Sequence, residues 1–128
     1  MPSKNREVRN AIALGIEAAT TIDVFLAREP DLTDIDQAVT IYLESGENDE
    51  EGLSSFIYAN LVVGVHSKIY VTDDDLDVLA EPVEEAVLAI DPANSPILGI
   101  RPAGFEYEGG DESSMYSILL RFTVIYKP

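Results

Sequence analysis

The strongest constraint on the fold is the pair of long stretches in which apolar residues recur at every second position. In "MYSILLRFTVIYKP", residues 115–128, Tyr116, Ile118, Leu120, Phe122, Val124 and Tyr126 alternate with Ser117, Arg121, Thr123 and Lys127. In "SSFIYANLVVGVHSKIYV", residues 54–71, Ile57, Ala59, Leu61, Val63 and Val65 do the same. Period two is the repeat of a β-strand, whose side chains point alternately to opposite faces. Two such strands present a wide apolar face, and that face needs a covering layer.

The covering layer is available in two helical segments. Within "KNREVRNAIALGIEAA", residues 4–19, helical spacing puts Val8, Ile12, Gly15, Ile16 and Ala19 on one side; Ser3 is placed to cap the start and Leu14 falls off the stripe toward a neighbour. Residues 73–90 carry a second stripe of Leu76, Leu79, Val83, Val87 and Ile90. Pro82 interrupts it, and a proline inside a helix costs about 3 kcal/mol, so a kink or short break is expected there.

"QAVTIYLESG" adds a strand, with Val39, Ile41 and Leu43 facing one way, and "GENDEEG" reads as the turn that joins it to the next strand in a hairpin. "ILGIRPAGFEYEG" and the run ending at Tyr126 form a second hairpin, with Pro102 and Gly104 bending the first strand and Gly109-Gly110 punctuating the turn. Ile22, Val24 and Leu26 suggest a short strand before Pro30. The order predicts one α+β domain over residues 1–128: an antiparallel or mixed sheet of four to five strands packed against two helices.

Composition narrows the function. The chain has no Cys, which excludes disulfides, thiolate metal sites and a cysteine nucleophile. No apolar run approaches the roughly 20 residues of a membrane span, and "MPSKNREVRN" lacks the apolar stretch of a secretory signal. Asp and Glu number 24 against 8 Lys and Arg, a net charge of −16. Such a field repels nucleic-acid phosphates, so binding DNA through a basic surface is not expected; solubility, adaptation to high salt, or a surface that lets DNA pass without sticking would each account for the acidity.

Candidate chemistry is sparse. In "TDDDLD", Asp73, Asp75, Asp77 and Glu84 fall at the first, third, fifth and twelfth positions of a calcium loop, which makes Asp73 and Asp75 weak metal candidates. The sixth position of such a loop is Gly, and here it is Val78. The preferred reading is a helix start, with Thr72 as N-cap and carboxylates complementing the positive end of the helix dipole. His66, the single histidine, is read as an ordinary, partly exposed residue, because Ser67 beside it points to the opposite face. The acidic clusters at 47–51 and 106–112 are read as solvated loops with no acid–base role. No enzyme motif is present and no cofactor is called for. Of the tyrosines, Tyr116 and Tyr126 are expected in the core, whereas rows on the other sheet face suit a subunit interface.

"QAVTIYLESG", "NLVVGVHSKIYVTDDDLDVLAEPVEEAVLAI" and "PAGFEYEGGDESSMYSILLRFTVIYKP" together resemble, in order and spacing, the phage tail terminator proteins, the minor tail protein U type of long, flexible-tailed phages. Departures are Gln37 where a proline is familiar, Pro82 within the second helix, and a closing turn, "EGGDES", without basic residues. The resemblance implies a non-enzymatic virion protein with an α+β fold. It also implies a hexameric ring at the head-proximal end of the tail, meeting the tail tube protein on one side and a head-completion or joining protein on the other. On this reading Glu47, Asp49, Glu50, Glu51, Glu108, Asp111 and Glu112 are the candidate ring, tube-contact or lumen positions. Mutual repulsion between acidic copies means that salt or divalent cations promote assembly. Two rivals are another neck or head–tail joining component and an acidic DNA mimic that inhibits a nucleic-acid enzyme.

Overall fold

In a computed structural model, the described residues are 2–27, 34–49, 55–68, 72–109 and 115–128. In chain order they form α1 (Pro2–Ala19), β1 (Asp23–Phe25), β2 (Gln37–Asp49), β3 (Phe56–Ser67), α2 (Asp73–Leu88), a 3-10 turn (Pro92–Asn94), β4 (Ile97–Glu108) and β5 (Tyr116–Tyr126). The sheet order is β1-β2-β3-β5-β4, with β1 parallel to β2 and every other pair antiparallel. The expected α+β architecture is therefore present, with five strands in a mixed sheet beneath two helices.

The two alternating runs become adjacent strands. Leu61 stands opposite Phe122, Val63 opposite Leu120 and Val65 opposite Ile118. Their shared face meets Val8, Ile12 and Ile16 from α1 and Leu76, Ala80, Val83 and Val87 from α2, all buried. Complete burial of each such aliphatic chain contributes about 1.5–3 kcal/mol, so this layer supplies most of the driving force for folding. The helices meet where Gly15 lies against α2; a methyl group added there would come within 3.5 Å of Ile90 Cγ1.

Several local expectations are corrected. Helix α1 begins at Pro2, so Ser3 lies within its first turn rather than ahead of it. A proline suits that first position, since its fixed φ is helical and its missing N–H had no intrahelical partner. Ala19 is exposed, and Leu14, off the stripe, remains 67% exposed. Helix α2 runs without a break from Asp73 to Leu88 with Pro82 inside it. The carbonyl that Pro82 cannot bond belongs to Val78, which is 70% exposed, so water can satisfy it. Gly46, expected in a turn, lies within β2.

Strand irregularities fall where short or special residues allow them. The β2–β3 register shifts between Leu43 and Ser45, which sets Glu44 as an extra residue. The β4–β5 register shifts at Pro102–Gly104, where Gly104 has φ +128°, the bend expected from sequence. Gly109 has φ +106°, and a side chain there would collide with the Met115 carbonyl oxygen.

At the start of α2, the Asp75 N–H donates to Thr72 Oγ1 at 3.2 Å, and the Thr72 N–H donates to Asp75 Oδ2 at 3.0 Å. This reciprocal capping box satisfies two backbone donors that the helix leaves open. Thr72→Ala removes the acceptor for the Asp75 N–H and is expected to cost about 1 kcal/mol; urea unfolding of the two proteins measures it.

Candidate functional site

The sheet face turned away from the helices carries a polar row built across three strands. His66 on β3 stands opposite Ser117 on β5. Its Nδ1 lies 2.6 Å from Ser117 Oγ and its Nε2 lies 2.8 Å from Thr40 Oγ1 on β2. The imidazole lies over Gly64, where a Cβ would sit 2.6 Å from Nε2 and 2.7 Å from Thr40 Oγ1. Only a glycine leaves room for the ring at that point. Burial pushes the His66 pKa below its ordinary 6.5.

His66 is half-buried, in keeping with the partly exposed residue expected from sequence; the sequence reading missed its partners. Ser67 does point to the other face, where its hydroxyl is buried, but the serine that reaches His66 is Ser117, 51 positions away. Nothing in the sequence short of strand register could have paired them. A serine beside a histidine resembles a catalytic pair, yet both ring nitrogens are engaged by hydroxyls. Among the described residues no carboxylate bonds to the ring as it would in a triad. The row ties β2, β3 and β5 together.

Further along the same face, Arg121 on β5 reaches both neighbours. Its Nη1 donates to Glu44 Oε2 at 2.6 Å and its Nη2 to Glu106 Oε1 at 2.8 Å, and these bonds hold its pKa above the ordinary value. The extra residue in β2 is what places Glu44 within reach. Glu106, expected in a solvated loop, belongs to β4.

The remaining candidates separate. Asp73 and Asp75 lie in the first turn of α2, and the Asp75 carboxylate is engaged by the capping box. Among the described residues no group of three or more His, Asp or Glu is placed to hold a metal. Glu47 and Asp49 lie in β2 and Glu108 in β4, so strands extend further into both acidic clusters than the loop reading allowed. Glu50, Glu51, Asp111 and Glu112 lie outside the described residues. The strand ends leading into the two clusters are at opposite ends of the sheet. Asp49 stands opposite Phe56 near Tyr126, whereas Glu108 stands opposite Ser117. The length of β5 separates them, roughly 30 Å.

One concave feature went unnoticed in the sequence. A groove of about 390 Å³ runs between α2 and the outer part of β4. Asp77, Glu81 and Glu84 form its acidic wall, and Phe105 and Tyr107 its aromatic side. The two rings meet edge to face at 5.6 Å. Phe105 is 62% exposed, and the Tyr107 hydroxyl donates to Asp77 Oδ1 at 2.5 Å. That bond pushes the Tyr107 pKa up to about 12. The available signal was acidic residues at helical spacing, at positions 77, 81 and 84, beside a strand with aromatics two apart.

The family model described as phage minor tail protein U matches residues 3–126. The chain belongs to that family. Its members are structural tail proteins of the virion, which makes this chain a component of a virion tail. A chain from the virion of a native gene transfer agent (GTA) particle shares the fold at TM-score 0.72, with 13% identity over 98% of each chain. No curated protein sequence matches.

In a structural tail protein the His66 row acts on stability, and the sign follows from its lowered pKa. The folded state keeps the ring neutral where the unfolded chain begins to take up a proton, below about pH 6.5. The contribution is therefore fully present above that pH and is lost as pH falls through the folded-state value. The stability difference between wild type and His66→Gln is expected to shrink as pH is lowered from about 7.5 toward 5. Denaturant unfolding of both proteins at each pH checks it.

Proposed function

We propose that this chain caps the tail tube: copies form a ring of six at the head-proximal end, stop tube polymerisation at the correct length, and present the surface that the head joins. The carrying observation is the family match across residues 3–126. The architecture supports it, because a ring between tube and head has two working ends and the two acidic strand ends lie at opposite ends of one sheet. The net charge of −16 supports it as well, since a ring lined by such chains repels DNA phosphates and lets the genome slide past. The partners are other copies of the chain, the tail tube protein and a head-completion or joining protein. Salt or divalent cations favour assembly by screening repulsion between copies.

Electron microscopy of particles made without this protein tests the reading. Overlong, headless tails are expected. Tails of normal length that fail to join heads would instead assign the chain to head–tail joining. Charge reversal at Glu47 on one end and at Glu108 on the other is expected to leave folding intact while disturbing tail length or joining. Unaltered tails in both variants would remove these positions from the contact surfaces.

A further inference from the structure

A ring requires two different surfaces on each copy, because a patch that meets itself closes a two-fold dimer instead. Charge singles out such a pair. Copies carrying −16 repel one another unless their few cations meet acid. Three of the eight cationic residues, Lys4, Arg6 and Arg9, fall close together near the start of α1. Lys4 pairs with Glu7 at 3.3 Å, whereas among the described residues neither Arg6 nor Arg9 has a carboxylate partner. Arg6 is exposed and Arg9 half-buried.

The acidic counterpart is the groove between α2 and β4, which no basic residue lines among the described residues. Helix geometry places the two features on opposite sides of the molecule. The helices touch where Gly15 lies against Ile90, just past the end of α2. Arg6 precedes Gly15 within α1, and within α2 Glu81 precedes Ala86, whose carbonyl oxygen faces Gly15. At about 100° per residue, these spacings turn Arg6 about 180° and Glu81 about 140° away from the helix–helix contact. The basic flank and the acidic groove are therefore the two outer margins of the helix layer. Copies standing side by side in the same orientation bring one margin to the other.

We propose that the contact between neighbouring copies seats Arg6 and Arg9 of one chain in the groove of the next, against Asp77, Glu81 and Glu84. The exposed Phe105 ring offers a face to a guanidinium there. This rests on the ring reading above and adds which surfaces meet within it. The contact is heterologous, and its own geometry rather than a two-fold axis decides whether the chain of copies closes.

The test uses the full chain, with mass followed by sedimentation and light scattering across concentration, salt and magnesium. Three variants are compared with wild type: E81R/E84R, R6E/R9E and all four substitutions together. Each pair alone is expected to raise the half-assembly concentration by about ten-fold or more, and the combined swap to return it toward wild type. The sign is diagnostic for E81R/E84R. That variant is less negative overall, so general repulsion predicts easier assembly and the specific contact predicts harder assembly. The combined swap leaves net charge unchanged. All four side chains lie outside the core, and circular dichroism verifies folding; E81Q/E84Q and R6Q/R9Q form a milder second series with effects of the same sign. Pair variants that assemble like wild type, or a combined swap no better than either pair, overturn the proposed contact while leaving the ring intact. A wild-type chain that stays monomeric throughout overturns the ring reading, and this contact with it.

Discussion

The burial of one sheet face is the interaction on which the remainder depends. β3 and β5 bring Leu61, Val63, Val65, Ile118, Leu120 and Phe122 into a continuous apolar surface, and α1 and α2 close over it. With no Cys and no long apolar segment, this layer and the hydrogen bonds within the sheet must overcome the conformational entropy of the chain. The −16 charge works in the other direction, since compaction brings like charges together. Burial therefore carries both burdens.

The other sheet face is stabilised by different means. Among the described residues no helix packs on it, yet Thr40 and Val62 are buried there. Thr40, His66 and Ser117 join three strands through hydroxyls and one imidazole, and Arg121 spans from β2 to β4 through two carboxylates. Each link crosses strands and so ties neighbouring strands together on this face.

The parts of this fold that were legible in the sequence are those written as local periodicity. Alternation over residues 57–65 and 116–126 marked the central strands, and the stripe from Leu76 to Val87 marked α2, including the Thr72 cap. Extents were less legible, because polar residues such as Glu47 and Glu106 continue strands when a partner strand lies alongside. Of the kink or short break that Pro82 suggested, the break does not occur, since helix continuity there depends on which carbonyl loses its donor and whether it faces water. The His66–Ser117 pair and the groove beside Phe105 were hidden for another reason. Both depend on register and on the angle between elements distant in sequence, which no window along the chain contains.

The position of β5 has a consequence for biosynthesis. It leaves the ribosome after the other four strands, yet it lies between β3 and β4. Until it is made, β4 has no partner and the apolar face of β3 stands open along one side. The Tyr126 hydroxyl, at the end of β5, donates to Asn5 Oδ1 at 2.6 Å and ties the first helix to that strand. Nascent or prematurely terminated chains thus lack an interior strand of the sheet and expose apolar surface of the kind that proteases and chaperones recognise. Only chains translated through this strand can complete the sheet and close its apolar face.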